Sequence, residues 1–235
     1  MRQSKDNLGL VMDRNPNSAL SEEIRSLRMR LELAAPGGRV GTLAVASADA
    51  QDGRTTIAAN LAVAFALAGK RTLLVDADFR GPRVHELFLR FNRGGLANAL
   101  MTVQKASAAE ALEPFIQETH IDRLHILPAG DSSAHAEDRL GGGEMAELLR
   151  EAAAQFDAVI VDTPPLLAAA EASAVSARCG GVLLVARAGR TNRRTLLKMC
   201  SALAAVRAEV RGVVMNRAGR TRRPDALRSF SGKKT

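Results

Sequence analysis

The sequence predicts a doubly wound α/β fold with a mostly parallel sheet and an N-terminal helical arm. Short apolar runs alternate with helical patterns from residue 40 to residue 215, and this alternation is typical of strand–helix–strand units. Several of the runs are apolar throughout, as expected for parallel strands that are covered on both faces. A chain of 235 residues is long enough to form one well-buried core of this kind.

The helical arm comes before the first predicted strand. Residues Ser18–Leu33 carry apolar side chains at helical spacing, Ser18 is a suitable N-cap, and APGG at 35–38 ends the helix. We therefore divide the chain into four parts. They are a flexible lead (1–17), an N-terminal helix (18–34), an α/β domain with a phosphate-binding loop, or P-loop (35–218), and a basic disordered tail (219–235).

Within the α/β domain, the apolar runs predict six strands and the segments between them predict three helices. The predicted strands are Val40–Ala46, Thr72–Val75, Leu124–Leu127, Ala158–Val161, Val182–Ala186 and Gly212–Met215. The predicted helices are Thr55–Ala68, Gly143–Ala154 and Arg193–Val206. Sheets of this type bind ligands at the carboxyl ends of their strands, so we looked for functional residues there.

The positive charge of the chain is concentrated at its C-terminal end. The net charge is +8, and residues 216–235 contribute seven basic side chains and one acidic side chain. This tail is suited to contact an anionic membrane. Phe230 is its only aromatic residue, which does not favour nucleic-acid binding. The sequence shows no apolar leader and has only two cysteines, so we expect a cytoplasmic protein.

The segment after the first predicted strand has the context of a P-loop. Residues 46–56, ASADAQDGRTT, connect a strand to a helix N-terminus, where backbone N–H groups and the helix dipole favour an anion. The regular pattern is Gly, four residues, then Gly-Lys-Ser/Thr. Here Ala48 takes the first glycine position and Arg54 takes the lysine position, so this is a deviant Walker A motif. The residues expected to contact a nucleotide are Asp52, Gly53, Arg54, Thr55 and Thr56.

Acidic residues follow two other predicted strands. Asp76 and Asp78 come at the end of the second strand, and Asp162 comes at the end of the run that leads into two prolines. A nucleotide site with Mg²⁺ needs carboxylates for the metal or its waters, and a hydroxyl group from the P-loop. We therefore predict that Thr55, Asp76 and Asp162 form a metal site.

In these motifs, the chain resembles the bacterial tyrosine kinases of capsule and exopolysaccharide synthesis. Those kinases belong to a wider class that includes the MinD/ParA ATPases. The stretches that carry the resemblance are TTIAANLAVAFALAGKRTLLVDADFRGPRVHELF, FDAVIVDTPPLL and GVVMNR. The resemblance implies ATP or ADP with Mg²⁺ as the cofactor. It implies catalytic or metal-binding roles for Asp76, Asp78 and Asp162, and it places Asn216 near the adenine.

The resemblance also implies partners. Glu22, Arg25 and Arg28 match the Glu-x-x-Arg-x-x-Arg oligomerisation motif of the family, so they are expected to form an interface in a homo-oligomer. The implied membrane partner is the cytoplasmic part of an inner-membrane polysaccharide co-polymerase. The protein would then be peripheral at the cytoplasmic face of that membrane.

Several residues depart from the pattern of the family. Arg54 replaces the P-loop lysine, Gln51 replaces a glycine, and Glu171 stands where an aspartate is usual. The chain contains no tyrosine, so it cannot autophosphorylate on tyrosine. We therefore predict a pseudokinase subunit that regulates exopolysaccharide synthesis and export.

Two alternatives remain open from the sequence. The retained aspartates are consistent with an active ATP-dependent kinase that acts on the tyrosines of a partner. A MinD/ParA-like positioning ATPase is less favoured, because Asp49 occupies the position of the additional lysine that those proteins carry.

Overall fold

The computed structural model, which describes residues 9–131 and 133–218, confirms the doubly wound α/β fold. The strands of the described part are β1 (Gly41–Ser47), β2 (Thr72–Asp76), β3 (Gln117–Glu118), β4 (Leu124–Leu127), β5 (Ala158–Asp162), β6 (Val182–Arg187) and β7 (Val210–Asn216). They form one sheet in the order β3-β4-β2-β5-β1-β6-β7. The pairing is parallel except between β3 and β4. The six predicted strands are present, and no end differs from the prediction by more than two residues.

The helices of the described part include the four that the sequence pattern predicted. The α-helices of the described part are α1 (Val11–Arg14), α2 (Ala19–Ala34), α3 (Arg54–Leu67), α4 (Val84–Leu87), α5 (Leu96–Thr102), α6 (Ala108–Leu112), α7 (Ala134–Arg139), α8 (Gly143–Gln155), α9 (Ala170–Arg178) and α10 (Arg193–Ala205). The predicted ones are α2, α3, α8 and α10. The elements that were not predicted have nine residues or fewer, which is too short for a clear apolar period.

Apolar side chains are buried on both faces of the sheet. Helix α3 covers one face, where Leu61 and Phe65 share a core cluster with Ile160 of β5. Helix α8 covers the other face of the same strands, and its Leu148 shares a cluster with Val161. A third cluster lies under α10. Burial of one large aliphatic or aromatic side chain stabilises a fold by about 1.5–3 kcal/mol, so these clusters hold the strand ends in fixed positions.

The N-terminal arm packs on α3. Ser18 caps α2 by accepting the N–H of Ser21 at 3.1 Å, and Ile24 is buried in the same cluster as α3. Residues 9–17 belong to the segment expected to be a flexible lead, but they contain α1, and the Met12 side chain is buried. Asn60 of α3 accepts the N–H of Met12 at 3.0 Å. This contact joins positions far apart in the sequence, and periodicity gave no sign of it.

No helix among the described residues is long and apolar enough to cross a membrane. The predicted basic tail, residues 219–235, lies outside the described residues, as do residues 1–8.

Candidate nucleotide-binding site

The P-loop and the acidic strand ends lie together at the carboxyl edge of the sheet. Strand β5 runs between β1 and β2, and Asp162 is in register with Asp76 on one side and with Val45 on the other. Because parallel strands end at the same edge, this order places the loop after β1 beside the residues that follow β2 and β5. The structure thus brings together the P-loop and the three predicted aspartates.

Backbone and side-chain contacts within the loop fix its path. The Asp52 carboxylate accepts the N–H of Asp49 at 3.0 Å through Oδ2. Gly53, at the start of α3, has a φ of 90°, which favours glycine. A Cβ atom at Gly53 would lie 2.1 Å from Nδ2 of Asn216. That same Nδ2 donates to the Asp52 carbonyl oxygen at 2.8 Å, so Asn216 at the end of β7 contacts the loop directly.

The Arg54 side chain is directed into the protein, where it binds two of the aspartates. Its Nε donates to Oδ1 of Asp162 at 2.7 Å, and its Nη2 donates to Oδ2 of Asp78 at 2.6 Å. Only 2% of the residue is exposed. Burial acts to lower the pKa of Arg54, but the carboxylates of Asp162 and Asp78 raise it above its usual value, so the guanidinium stays charged.

Asp162 is almost fully buried at the end of β5. Burial raises the pKa of Asp162, and the charge of Arg54 acts in the opposite direction. Its second oxygen, Oδ2, is buried and has no hydrogen-bond partner among the described residues. The ion pair with Arg54 is therefore the main interaction that stabilises the ionised carboxylate here.

Asp76 serves as an acceptor for backbone N–H groups. Its Oδ1 accepts the N–H of Asp78 at 3.2 Å, and its Oδ2 accepts those of Arg83 and Val84 at 3.0 Å each. Burial, together with the nearby charge of Asp162, raises the pKa of Asp76 to about 8. Asp76 thus joins the end of β2 to the start of α4.

This arrangement does not present an open site for Mg²⁺. Thr55 lies half-buried on the first turn of α3, but both oxygens of Asp76 accept backbone N–H groups and Asp162 is bound to Arg54. No group of three or more His, Cys, Asp or Glu side chains in the described residues is suited to hold a metal ion. The predicted metal ligands therefore do not fit Mg²⁺ as they are arranged. Thr56, the last predicted loop contact, is exposed.

Two further arginines hold the outer side of the loop. After β6, Arg187 donates through Nη1 to the Gln51 carbonyl oxygen at 3.2 Å, and Arg190 donates to Oε1 of Gln51 at 3.3 Å. Arg190 also lies 3.6 Å from a carboxylate oxygen of Asp49. The sequence analysis did not identify these arginines. Their position directly after a predicted strand, at its carboxyl end, was the available signal.

An exposed ion pair joins two segments next to this edge of the sheet. Arg80, which follows Asp78, donates to Oε1 of Glu171 at 2.6 Å and lies 3.8 Å from Glu137. Glu171, noted in the sequence as a departure from the family pattern, therefore pairs with a cation of its own chain.

The three residues of the predicted oligomerisation motif lie on α2, away from the P-loop. Arg25 binds Glu22 at 3.0 Å and also donates to the Pro16 carbonyl oxygen, while Arg28 pairs with Glu32. Each of these charges thus has a partner within the chain, and the intermolecular role of the motif stays a prediction.

Comparison with known proteins identifies close relatives. Residues 41–207 match the family described as AAA domain. Tyrosine-protein kinase YwqD of Bacillus subtilis is 36% identical over 218 residues, covering 90% of each chain. Succinoglycan biosynthesis transport protein ExoP of Rhizobium meliloti is 32% identical over 206 residues, which are 86% of this chain and 25% of ExoP. The kinase domain of the Escherichia coli tyrosine kinase ETK superimposes with a TM-score of 0.81 at 28% identity, covering 95% of this chain and 87% of that domain.

Proposed function

Since this chain belongs to the family of bacterial tyrosine kinases of capsule and exopolysaccharide synthesis, we propose that it acts in that process as a regulatory subunit without kinase activity. The observation that carries this proposal is the position of Arg54. The residue at the lysine position of the P-loop binds two aspartates of its own chain.

A P-loop kinase needs a cation at this position that is free to reach the phosphates. A lysine ammonium is a compact charge around which the loop wraps, whereas a guanidinium is planar and forked. To reach a phosphate, Arg54 would have to leave both Asp162 and Asp78, which are themselves buried. Separating a buried charge from its partners is strongly unfavourable. The loop is therefore poorly suited to position ATP for transfer.

The amino-acid composition supports the same proposal. None of the 235 residues is a tyrosine, so the chain offers no tyrosine acceptor to a neighbouring copy. A regulatory role that depends on contact rather than on phosphoryl transfer is compatible with this composition.

The proposed partner is the cytoplasmic part of an inner-membrane polysaccharide co-polymerase. In ExoP, the matching segment makes up 25% of a longer transport protein. We infer that this chain docks on such a partner and is peripheral at the cytoplasmic face of the inner membrane. Glu22, Arg25 and Arg28 are proposed to form contacts between copies of the chain in that assembly.

The second candidate is a kinase that acts on tyrosines of a partner. The specific observation that favours it is the convergence of Asp76, Asp78 and Asp162 at the P-loop, together with 36% identity to a protein named as a tyrosine kinase. In this mechanism, a carboxylate such as Asp78 accepts the proton of the tyrosine hydroxyl. Arg54 would first have to release that carboxylate.

A genetic replacement experiment separates the two candidates. In the source organism, the gene is replaced by one encoding Asp162→Asn, and the secreted polysaccharide is quantified beside strains with the wild-type gene and with the gene deleted. Asp157→Asn, which changes an exposed carboxylate outside the site, is the matched control. We expect deletion to lower polysaccharide output and Asp162→Asn to preserve it. Loss of output in Asp162→Asn at an unchanged protein level would contradict the proposal and favour the kinase.

A transfer assay gives an independent test. Purified protein is incubated with radiolabelled ATP, Mg²⁺ and the cytoplasmic segment of the co-polymerase encoded nearest to it, with the kinase domain of a tyrosine-bearing relative as the positive control. We expect no label on tyrosine from the wild-type chain. Label on a tyrosine of the partner, lost in Asp78→Asn, would establish the second candidate instead.

A further inference from the structure

The positive charge at the centre of the candidate nucleotide-binding site is supplied by a side chain of the protein, Arg54. We propose that the Arg54 guanidinium takes the place of a divalent metal ion, so that the site is held together without metal and does not bind one. The inference concerns metal binding alone and does not depend on the proposed role in polysaccharide synthesis.

Arg54 connects three segments that end at the same edge of the sheet. It belongs to the first turn of α3, and it reaches Asp162 at the end of β5 and Asp78 just after β2. The two partners lie 108 and 24 residues away in the sequence. A metal ion in such a site performs the same task, because it gathers oxygen ligands from separate segments around one positive charge.

Both carboxylates are already bound to one cation of the chain, whose single positive charge offsets part of their combined negative charge. Both contacts are short, at 2.6 and 2.7 Å, as expected for charge-assisted hydrogen bonds. Asp78 and Asp162 are both buried, so water competes little with the guanidinium. A divalent cation could bind the two oxygens that Arg54 contacts, Oδ1 of Asp162 and Oδ2 of Asp78, only by displacing Arg54, which would then be a buried and unpaired charge.

The forked shape of arginine explains how one side chain can do this. Its Nε and Nη2 each donate to a carboxylate on a different segment. A lysine ammonium offers one nitrogen on a flexible stem and lacks this fixed fork. The remaining nitrogen, Nη1, is buried without a hydrogen-bond partner among the described residues. The two carboxylates alone therefore fix the orientation of the guanidinium.

The remaining predicted metal ligands do not compensate. Both oxygens of Asp76 already accept hydrogen bonds from the backbone N–H groups of Asp78, Arg83 and Val84. Mg²⁺ requires six oxygen ligands in near-octahedral geometry. Of the predicted set, the Thr55 hydroxyl and the unpartnered Oδ2 of Asp162 remain, and these two oxygens supply only a third of the ligands that Mg²⁺ requires.

Binding of Mn²⁺ to the full chain tests the proposal directly. Free Mn²⁺ is measured by electron paramagnetic resonance as protein is added, for the wild type, Arg54→Gln and Arg39→Gln. Gln keeps an N–H donor at position 54 but removes the charge, which frees Asp78 and Asp162 for metal. Arg39 is the matched control, because its guanidinium donates to the backbone carbonyl oxygens of Ala153 and Phe156 and binds no carboxylate of residues 9–131 or 133–218.

We expect Arg54→Gln to bind Mn²⁺ at least about tenfold more tightly than the wild type, a difference of about 1.4 kcal/mol. Arg39→Gln should match the wild type, and Arg54→Gln/Asp162→Asn should lose the gain. Tight binding of one Mn²⁺ per wild-type chain, lost in Asp162→Asn, would overturn the proposal. If Arg54→Gln does not fold, the wild-type titration still tests the proposal, and Arg54→Lys replaces Arg54→Gln as the variant.

The thermal midpoint gives a second readout that does not depend on catalysis. We expect the Tm of the wild type to be the same in excess Mg²⁺ and in excess chelator, and the Tm of Arg54→Gln to rise when Mg²⁺ is added. A Mg²⁺-dependent rise in the wild type that Asp162→Asn abolishes would contradict the replacement of the metal by Arg54. Neither the Mn²⁺ titration nor the thermal midpoint tests whether polysaccharide output needs the protein. The proposal on metal binding and the proposed regulatory role can therefore be refuted independently of each other.

Discussion

Replacement of Arg54 by methionine should destabilise the folded protein strongly. Methionine is apolar and of similar length, so it fills the space of the side chain but cannot bind Asp78 or Asp162. The change removes two charge-assisted hydrogen bonds, each worth about 1.5–3 kcal/mol. It also leaves two buried carboxylates without a cation, and breaking a buried ion pair in this way typically costs about 3–5 kcal/mol. We expect a loss of about 3–5 kcal/mol in the free energy of unfolding.

Urea unfolding followed by far-UV circular dichroism measures this loss. Intrinsic fluorescence is unsuitable, because the chain has neither tryptophan nor tyrosine. For a domain of this size, 1 kcal/mol corresponds to about 2–4 °C in Tm. The thermal midpoint should therefore fall by about 6–20 °C.

The dependence on pH and on a second mutation identifies the cause. Burial raises the pKa of Asp162 in the folded state, and without Arg54 the main opposing charge is lost, so Asp162 takes up a proton as the pH falls. The deficit of Arg54→Met should therefore shrink at acidic pH. The double variant Arg54→Met/Asp162→Asn should be more stable than the sum of the single losses predicts.

The reasoning would be refuted by a small and pH-independent effect. If Arg54→Met costs less than about 1 kcal/mol, the guanidinium contributes no more than an exposed ion pair. Arg39→Met serves as the control for the loss of an arginine, because the Arg39 guanidinium donates to two backbone carbonyl oxygens, those of Ala153 and Phe156.

Three further predictions concern neighbouring residues. Because the pKa of Asp76 is raised to about 8, its contribution to stability is present below its unfolded pKa of about 4 and is lost as the pH rises toward 8. Asp76→Asn should therefore flatten the dependence of the free energy of unfolding on pH, as measured by urea unfolding. An unchanged dependence would contradict this prediction. Gly53→Ala should cost about 1–3 kcal/mol, because the new Cβ meets Asn216 at 2.1 Å, and the clash predicts partial rescue by Asn216→Ala. Asn60→Ala should cost about 1–3 kcal/mol and speed hydrogen exchange at Met12, whose N–H loses its acceptor; unchanged exchange would count against that contact.

The fold could be predicted from the sequence because its strands are continuous apolar runs. A continuous apolar run such as Ala158–Val161 predicts a buried parallel strand, and the strand in the structure is longer by only one residue. The two-residue strand β3 could not be predicted in this way, because pairing with β4 defines it. Helix α1 was missed for a similar reason, since its burial depends on Asn60 in a distant segment.

The location of the site was predictable, but its internal pairing was not. Asp76 and Asp162 could be expected at the same edge of the sheet without knowledge of the strand order, because the carboxyl ends of parallel strands lie at one edge. The direction of the Arg54 side chain is different, because it depends on three segments whose distances only the folded chain defines. Motif comparison showed that Arg54 departs from the family, and the structure shows what it contacts.

The energetic role of Arg54 bears on how such a protein would be regulated. In a P-loop with lysine, the bound nucleotide and its metal neutralise the acidic strand ends, so the liganded state is the stabilised one. In this chain, Arg54 binds both Asp78 and Asp162 and offsets part of their negative charge without any ligand. A nucleotide can shift an equilibrium only by its differential affinity for the two states. Nucleotide binding would have to break this network first, so the proposed role as a docked regulatory subunit predicts control by contact with a partner rather than by nucleotide state.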